Sequence, residues 1–141
     1  MNRRELVQKI ALGGAVLFVM PAAITSCSKD NSDDPPIKNP PGTKIDVDLS
    51  LPSNAALNAV GGSVYVQSIV VVNTGTGYIA LSSVCTHQQG TVAYNSVSGN
   101  FVCPNHGSVF SVGGSVVTGP AASPLQSYSI SKTGNILTIT T

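Results

Sequence analysis

From Leu49 to Ser131 the sequence contains no Asp, Glu, Lys or Arg, and charged residues make up only 9% of its 141 positions. The central stretch therefore lacks the carboxylates and cations on which most acid–base and phosphoryl-transfer catalysis rests, which argues against a hydrolase or a transferase. It equally lacks the cations that neutralise phosphates, so no nucleic-acid partner is expected. Histidine is scarce, with two in the whole chain, and cysteine numbers three. An odd count cannot close fully into intrachain disulfides, although an exported protein would favour them. A long apolar run is missing too: the charge-free stretch near the start, Ile10 to Ile24, has 15 residues and includes Gly13, Gly14 and Pro21. A membrane-spanning helix needs roughly 20 apolar residues, so a permanent transmembrane segment is the weaker reading.

What that opening segment does contain is an address. Arg3, Arg4 and Lys9 precede the apolar stretch, and Ile24-Thr25-Ser26-Cys27 closes it. A basic region, an apolar region and small residues in that order make residues 1–27 an export signal. Cys27 after small residues resembles the lipobox of bacterial lipoproteins, which implies lipidation of Cys27 and a membrane anchor on the periplasmic or cell-surface side. Arg3-Arg4-Glu5-Leu6-Val7 resembles a twin-arginine signal, a route for proteins that fold, often around a cofactor, before they cross. Residues 28–43 hold Pro35, Pro36, Pro40 and Pro41 with Asp30, Asp33 and Asp34 and almost no apolar side chains. Such a stretch cannot bury enough surface to order itself and reads as a solvated, proline-stiffened tether.

From Lys44 onward, residues 44–141 read as one all-β domain. Short β-rich runs are separated by glycine and asparagine turns such as Ser98-Gly99-Asn100, Gly113-Gly114 and Thr133-Gly134-Asn135. Strands are expected near 45–49, 63–72, 78–82, 91–94, 101–103, 109–111, 115–118, 128–131 and 136–140. No helical period of comparable length is visible. About 98 residues with this many loops make a modest core, which a bound metal centre would help to stabilise.

Both histidines lie within three residues of the two cysteines that remain if Cys27 carries lipid. The pattern is Cys85-Thr86-His87, then 15 residues, then Cys103-Pro104-Asn105-His106. Each pair sits where an expected strand runs into a turn, with Gly90 and Gly107 close behind, and glycine there lets the backbone approach a bulky group. A Cys2His2 donor set suits zinc or iron–sulfur chemistry. Structural zinc sites usually group the two cysteines and the two histidines separately, whereas each loop here supplies one of each. Two facing loops of that kind would present two sulfurs and two imidazoles to one centre.

On these residues the chain resembles the Rieske iron–sulfur family. Cys85-Thr86-His87 and Cys103-Pro104-Asn105-His106-Gly107-Ser108 are similar to its two cluster-binding loops, and Thr118-Gly119-Pro120-Ala121 to the proline loop that covers the cluster. The resemblance spans roughly Val60 to Thr141. It implies stacked antiparallel sheets, three in number, with a small cluster-binding subdomain at about 83–120. It also implies one 2Fe-2S cluster per chain, held by Cys85, His87, Cys103 and His106, with Ser108, Phe110, Gly119 and Pro120 around it.

Departures from the family pattern matter equally. Rieske subunits of quinol-oxidising cytochrome complexes carry an extra cysteine in each loop, joined as a disulfide, and Gly90 and Asn105 fill those places here. Ser108 is retained as a hydrogen-bond donor to cluster sulfur, but Phe110 stands at a position where those subunits have tyrosine. The resemblance thus points to electron transfer by a tethered carrier or by the iron–sulfur subunit of an exported oxidoreductase complex, with redox proteins or membrane subunits as partners. The alternative is a structural zinc-bound β-module that binds partners. A ring-hydroxylating oxygenase would need a further mononuclear iron held by two histidines and a carboxylate, and this sequence has no third histidine.

Overall fold

A computed structural model describes residues 39–141; the expected export signal, Cys27 and the tether up to Lys38 lie outside the described residues. The strands are β1 (Lys44–Asp48), β2 (Ser63–Val66), β3 (Ile69–Asn73), β4 (Tyr78–Ser82), β5 (Ala93–Asn95), β6 (Asn100–Val102), β7 (Val109–Ser111), β8 (Val116–Thr118), β9 (Ser127–Thr133) and β10 (Ile136–Thr140). They form a six-stranded sheet in the order β1-β10-β9-β4-β3-β2 and a four-stranded sheet β5-β6-β7-β8. Every named strand pairing is antiparallel. The six-stranded sheet consists of two three-stranded halves that meet only through Ala80↔Tyr128 and Leu81↔Ser127. The three sheets expected from the family resemblance are therefore two joined halves and the small sheet.

Strand β3 explains how this chain builds two cores without a helix layer. Ile69, Val70, Val71 and Val72 are all fully buried. Because side chains alternate across a strand, Ile69 and Val71 enter a base core with Ile45, Val47, Leu137 and Ile139, while Val70 and Val72 enter a second core with Leu81, Val92, Phe101 and Phe110. That double burial is why the sequence runs apolar there without alternating. Each buried side chain of this size contributes about 1.5–3 kcal/mol relative to exposure. Cys85 and Cys103 belong to the second core, so the rigid β3 partition underlies the region that matters for function.

Two local expectations are corrected. The single strand expected over 63–72 is a hairpin: Val66 pairs with Ile69, and Gln67 and Ser68 turn the chain with φ of 46° and 62°. Neither residue is one that such a turn ordinarily selects, so the apolar run masked the reversal. The stretch before it forms a 3-10 helix, Pro52–Asn58, held by tertiary contacts rather than by periodicity. Leu57 is fully buried, Asn54 Nδ2 donates to the Asp48 carbonyl at 2.8 Å and Asn73 Nδ2 to the Leu57 carbonyl at 2.9 Å. At the other end of the base, Pro40 to Thr43 turn against the last residue: Thr141 N–H donates to the Thr43 carbonyl at 3.0 Å and Thr141 Oγ1 to the Pro40 carbonyl at 2.8 Å.

Candidate metal centre

The two loops that carry the Cys/His pairs are built by one repeated pattern of backbone bonds. In the first, Cys85 N–H donates to the Gly90 carbonyl at 2.7 Å and Gln89 N–H returns to the Cys85 carbonyl at 3.0 Å. In the second, Cys103 N–H donates to the Ser108 carbonyl at 2.8 Å and Gly107 N–H returns to the Cys103 carbonyl at 2.9 Å. Each loop reverses through a left-handed residue four places after its cysteine, Gln89 at φ 59° and Gly107 at φ 75°. The first loop leaves β4 and is closed by the bridge Val84↔Thr91; the second joins β6 to β7. The two turns thus each present one sulfur and one imidazole, the imidazole two residues after the cysteine in the first loop and three after it in the second.

The structure brings the four predicted donors into two pairs, Cys85 with Cys103 and His87 with His106. Cys85 and Cys103 are 1% and 2% exposed, and both are free thiols. Burial pushes the Cys85 thiol above its ordinary range, and the neighbouring Cys103 thiol adds to this; the backbone N–H groups of His87 and Gln88 act in the opposite direction by hydrogen bonding to Cys85 sulfur. His87 and His106 are exposed, and their rings meet edge to face with centroids 4.8 Å apart and 86° between planes. Among the described residues no three or more His, Cys, Asp or Glu side chains are grouped to hold a single metal ion. Buried thiols backed by N–H donors would suit iron and sulfide, and solvent-facing imidazoles would suit a further metal atom.

The surrounding residues fix this frame. Ser108 is fully buried, and its Oγ accepts the Ala121 N–H at 3.0 Å, which leaves the hydroxyl proton free to point elsewhere. Phe110 is also fully buried, in the core beneath the cysteines with Phe101 and Val92. Gly119 and Pro120, joined by a cis peptide bond, are exposed beside the buried Ala121. Gly90 and Asn105 are in direct contact: a Cβ built on Gly90 would lie 2.4 Å from Asn105 Nδ2 and 2.9 Å from its Cγ.

Sequence reasoning missed two contributors. Thr86 Oγ1 donates to the Ser123 carbonyl at 2.6 Å, so the segment after Pro120 is tied to both loops, by Thr86 on one side and Ser108 on the other. Tyr65, on the edge strand β2, donates its hydroxyl to the Val92 carbonyl and accepts the Tyr94 N–H, both at 3.1 Å. It thereby pins the six-stranded sheet to the small one. Neither has a local signal in the sequence, because each partner is 27 or more residues away. A cleft of about 900 Å³ runs beside the first loop, lined by Thr86, Gln89, Ser123, Pro124 and Gln126 and reaching Cys85.

Comparison with known proteins agrees with the geometry. The model of the Rieske [2Fe-2S] domain matches residues 48–129. The chain is 28% identical over 96 residues to the cytochrome b6-f complex iron–sulfur subunit of Chlorobaculum tepidum, covering 64% of this chain and 53% of that protein. It is 33% identical over 100 residues to the same subunit of Synechococcus sp. (strain JA-3-3Ab), covering 67% and 56%. The chain thus spans about half the length of these curated relatives. Among solved structures, the ferredoxin of carbazole 1,9a-dioxygenase from Nocardioides aromaticivorans shares the fold, with a TM-score of 0.52 at 21% identity over 60% of this chain and 91% of that one.

Proposed function

Because this chain belongs to the Rieske [2Fe-2S] domain family, we propose that it carries single electrons, with Cys85 and Cys103 holding one iron of the cluster and His87 and His106 the other. The observation that carries this reading is the pairing of two adjacent buried thiols with two exposed imidazoles on twin loops. A 2Fe-2S cluster supplies one-electron chemistry when bound. The chain's own part is to hold, shield and tune. Burial of both cysteines keeps water from the sulfurs, and the N–H groups of His87 and Gln88 favour negative charge on Cys85 sulfur. Held by the exposed His87 and His106, the second metal atom would lie near the surface, where a partner could approach. With one ring nitrogen on the metal, each imidazole would keep the other free toward the surface.

The donor set also sets the direction of the potential. With two thiolates in place of four, the formal charge on the oxidised site is less negative, and such centres lie at roughly −150 to +300 mV against about −400 mV for plant-type ferredoxins. Phe110 offers no hydroxyl to a sulfur, which favours a value below the upper end of that span.

The reading extends to location. Cys27 and the basic and apolar residues before it support a lipid-anchored, exported protein that serves a redox partner or a membrane oxidoreductase. Among the described residues no helix is long and apolar enough to cross a membrane. Anaerobic purification tests the cofactor: iron and acid-labile sulfide should appear in equal amounts with a brown colour, and the Cys85→Ser and His106→Ala variants should lose both. A colourless protein carrying one zinc would instead establish the zinc-module alternative. Labelled lipid incorporation that survives Cys27→Ser would overturn the anchor.

A further inference from the structure

The contact between Gly90 and Asn105 carries an inference about how the two loops are kept in register, and it rests on the cluster reading above. The backbone bonds of each loop close on that loop alone, Cys85 with Gly90 and Gln89, Cys103 with Ser108 and Gly107. Among the described residues, apart from the contact of the Cys85 and Cys103 thiols themselves, no hydrogen bond joins residues 85–91 directly to residues 103–108. Both loops are also tied to a third segment, through Thr86 to Ser123 and through Ser108 to Ala121, but those ties do not join one loop to the other directly. Outside the donor set, the Asn105 amide packs against the Gly90 backbone across the gap between the loops.

The glycine is there for space. Gly90 does not lie in the left-handed region, so its backbone conformation is open to any residue. Its surroundings are not: an added Cβ would lie 2.4 Å from Asn105 Nδ2 and 2.9 Å from Cγ, well inside contact distance. By contrast, Gly107 in the other loop is left-handed and has nothing within 4 Å of an added Cβ. One loop glycine serves the turn and the other serves the fit. Asn105 lies between Cys103 and His106, so displacing its side chain is felt directly by a sulfur and by an imidazole.

We propose that Asn105 and Gly90 act together as a non-covalent clasp that sets the spacing of the two ligand loops, and that both are positioning residues for the cluster. The test uses the cluster-loaded chain with Gly90→Ala, Asn105→Ala and the double variant. Bleaching of visible absorbance under a chelator gives the rate of cluster loss, and electron paramagnetic resonance of the reduced protein reports ligand geometry. Each single variant should lose its cluster about ten-fold faster than the parent, in the range typical of disturbed outer contacts to metal ligands. The double variant should be no worse than the poorer single one, because Asn105→Ala removes the amide that the methyl introduced by Gly90→Ala would strike. Gly90→Ala should also shift the resonance, and Asn105→Ala in that background should reverse part of the shift. Rates that multiply to within about two-fold, as for independent sites, would overturn the clasp. So would Asn105→Ala alone bleaching at the parental rate, an outcome that decides the matter even if Gly90→Ala does not fold. An iron-free parent protein would instead sink the cluster assignment itself.

Discussion

Gln89 and Gly107 occupy the same place in two loops of identical backbone bonding, each four residues after a cysteine and each left-handed, at φ 59° and 75°. Only one of them is glycine. An L-residue in that conformation costs roughly 1–2 kcal/mol, offset in part by the greater chain entropy that glycine loses on folding, about 0.5–1 kcal/mol. Gln89→Gly should therefore stabilise the protein by up to about 1 kcal/mol, whereas Gly107→Ala should destabilise it by a similar amount. Denaturant melts of both variants check the opposed signs, and equal signs would show that the side chains, not the backbone, dominate.

Ser108 has one observed contact and, on the cluster reading, one further task, which two readouts of a single substitution distinguish. Its oxygen accepts the buried Ala121 N–H, and its proton would be available to a cluster sulfur. Ser108→Ala should cost about 1–3 kcal/mol by leaving that N–H unpaired, and it should lower the reduction potential. Stability loss at an unchanged potential in a redox titration would confine the residue to holding Ala121.

Tyr65 couples the two sheets through one oxygen. Tyr65→Phe keeps the ring but removes both the donor to Val92 and the acceptor for Tyr94, and should lower stability by about 1 kcal/mol. Hydrogen exchange at the Tyr94 amide should quicken. If that amide stays protected, the pin is not what joins the sheets.

The hairpin at Gln67 and Ser68 holds two successive left-handed residues. Asn and Gly suit that turn, so replacing Gln67-Ser68 with Asn-Gly should raise stability by about 1–2 kcal/mol without touching the redox properties. A fall in the thermal midpoint would mean that the Gln67 and Ser68 side chains make contacts worth more than the relief.

Docking should be insensitive to salt. Among the described residues the charged side chains are Lys44, Asp46, Asp48 and Lys132, all on β1 and β9, whereas both ligand loops are uncharged. Electron-transfer rates to a partner should change by less than about two-fold between low and physiological ionic strength, since screening acts only on charges. A steep decline would place Lys44 or Lys132 in the docking surface.

Much of this protein could be read from the chain itself because its chemistry is local. A cysteine and a histidine two or three residues apart need only a tight turn to converge, and scarcity makes two such pairs conspicuous among the 141 residues. Glycine and asparagine likewise marked most hairpins. Residues that act across long separations were out of reach. The reversal at Gln67-Ser68 has no turn residue to announce it, and the 3-10 helix depends on Leu57 being swallowed by a core built from strands at both ends of the domain. Tyr65, Thr86 and the seating of Asn105 on Gly90 acquire meaning only when separate sheets and loops meet. Local residue identity determined which atoms can bind metal; tertiary packing alone decided that the sulfurs lie buried side by side while the imidazoles face solvent, because burial belongs to the assembled core and not to any one segment.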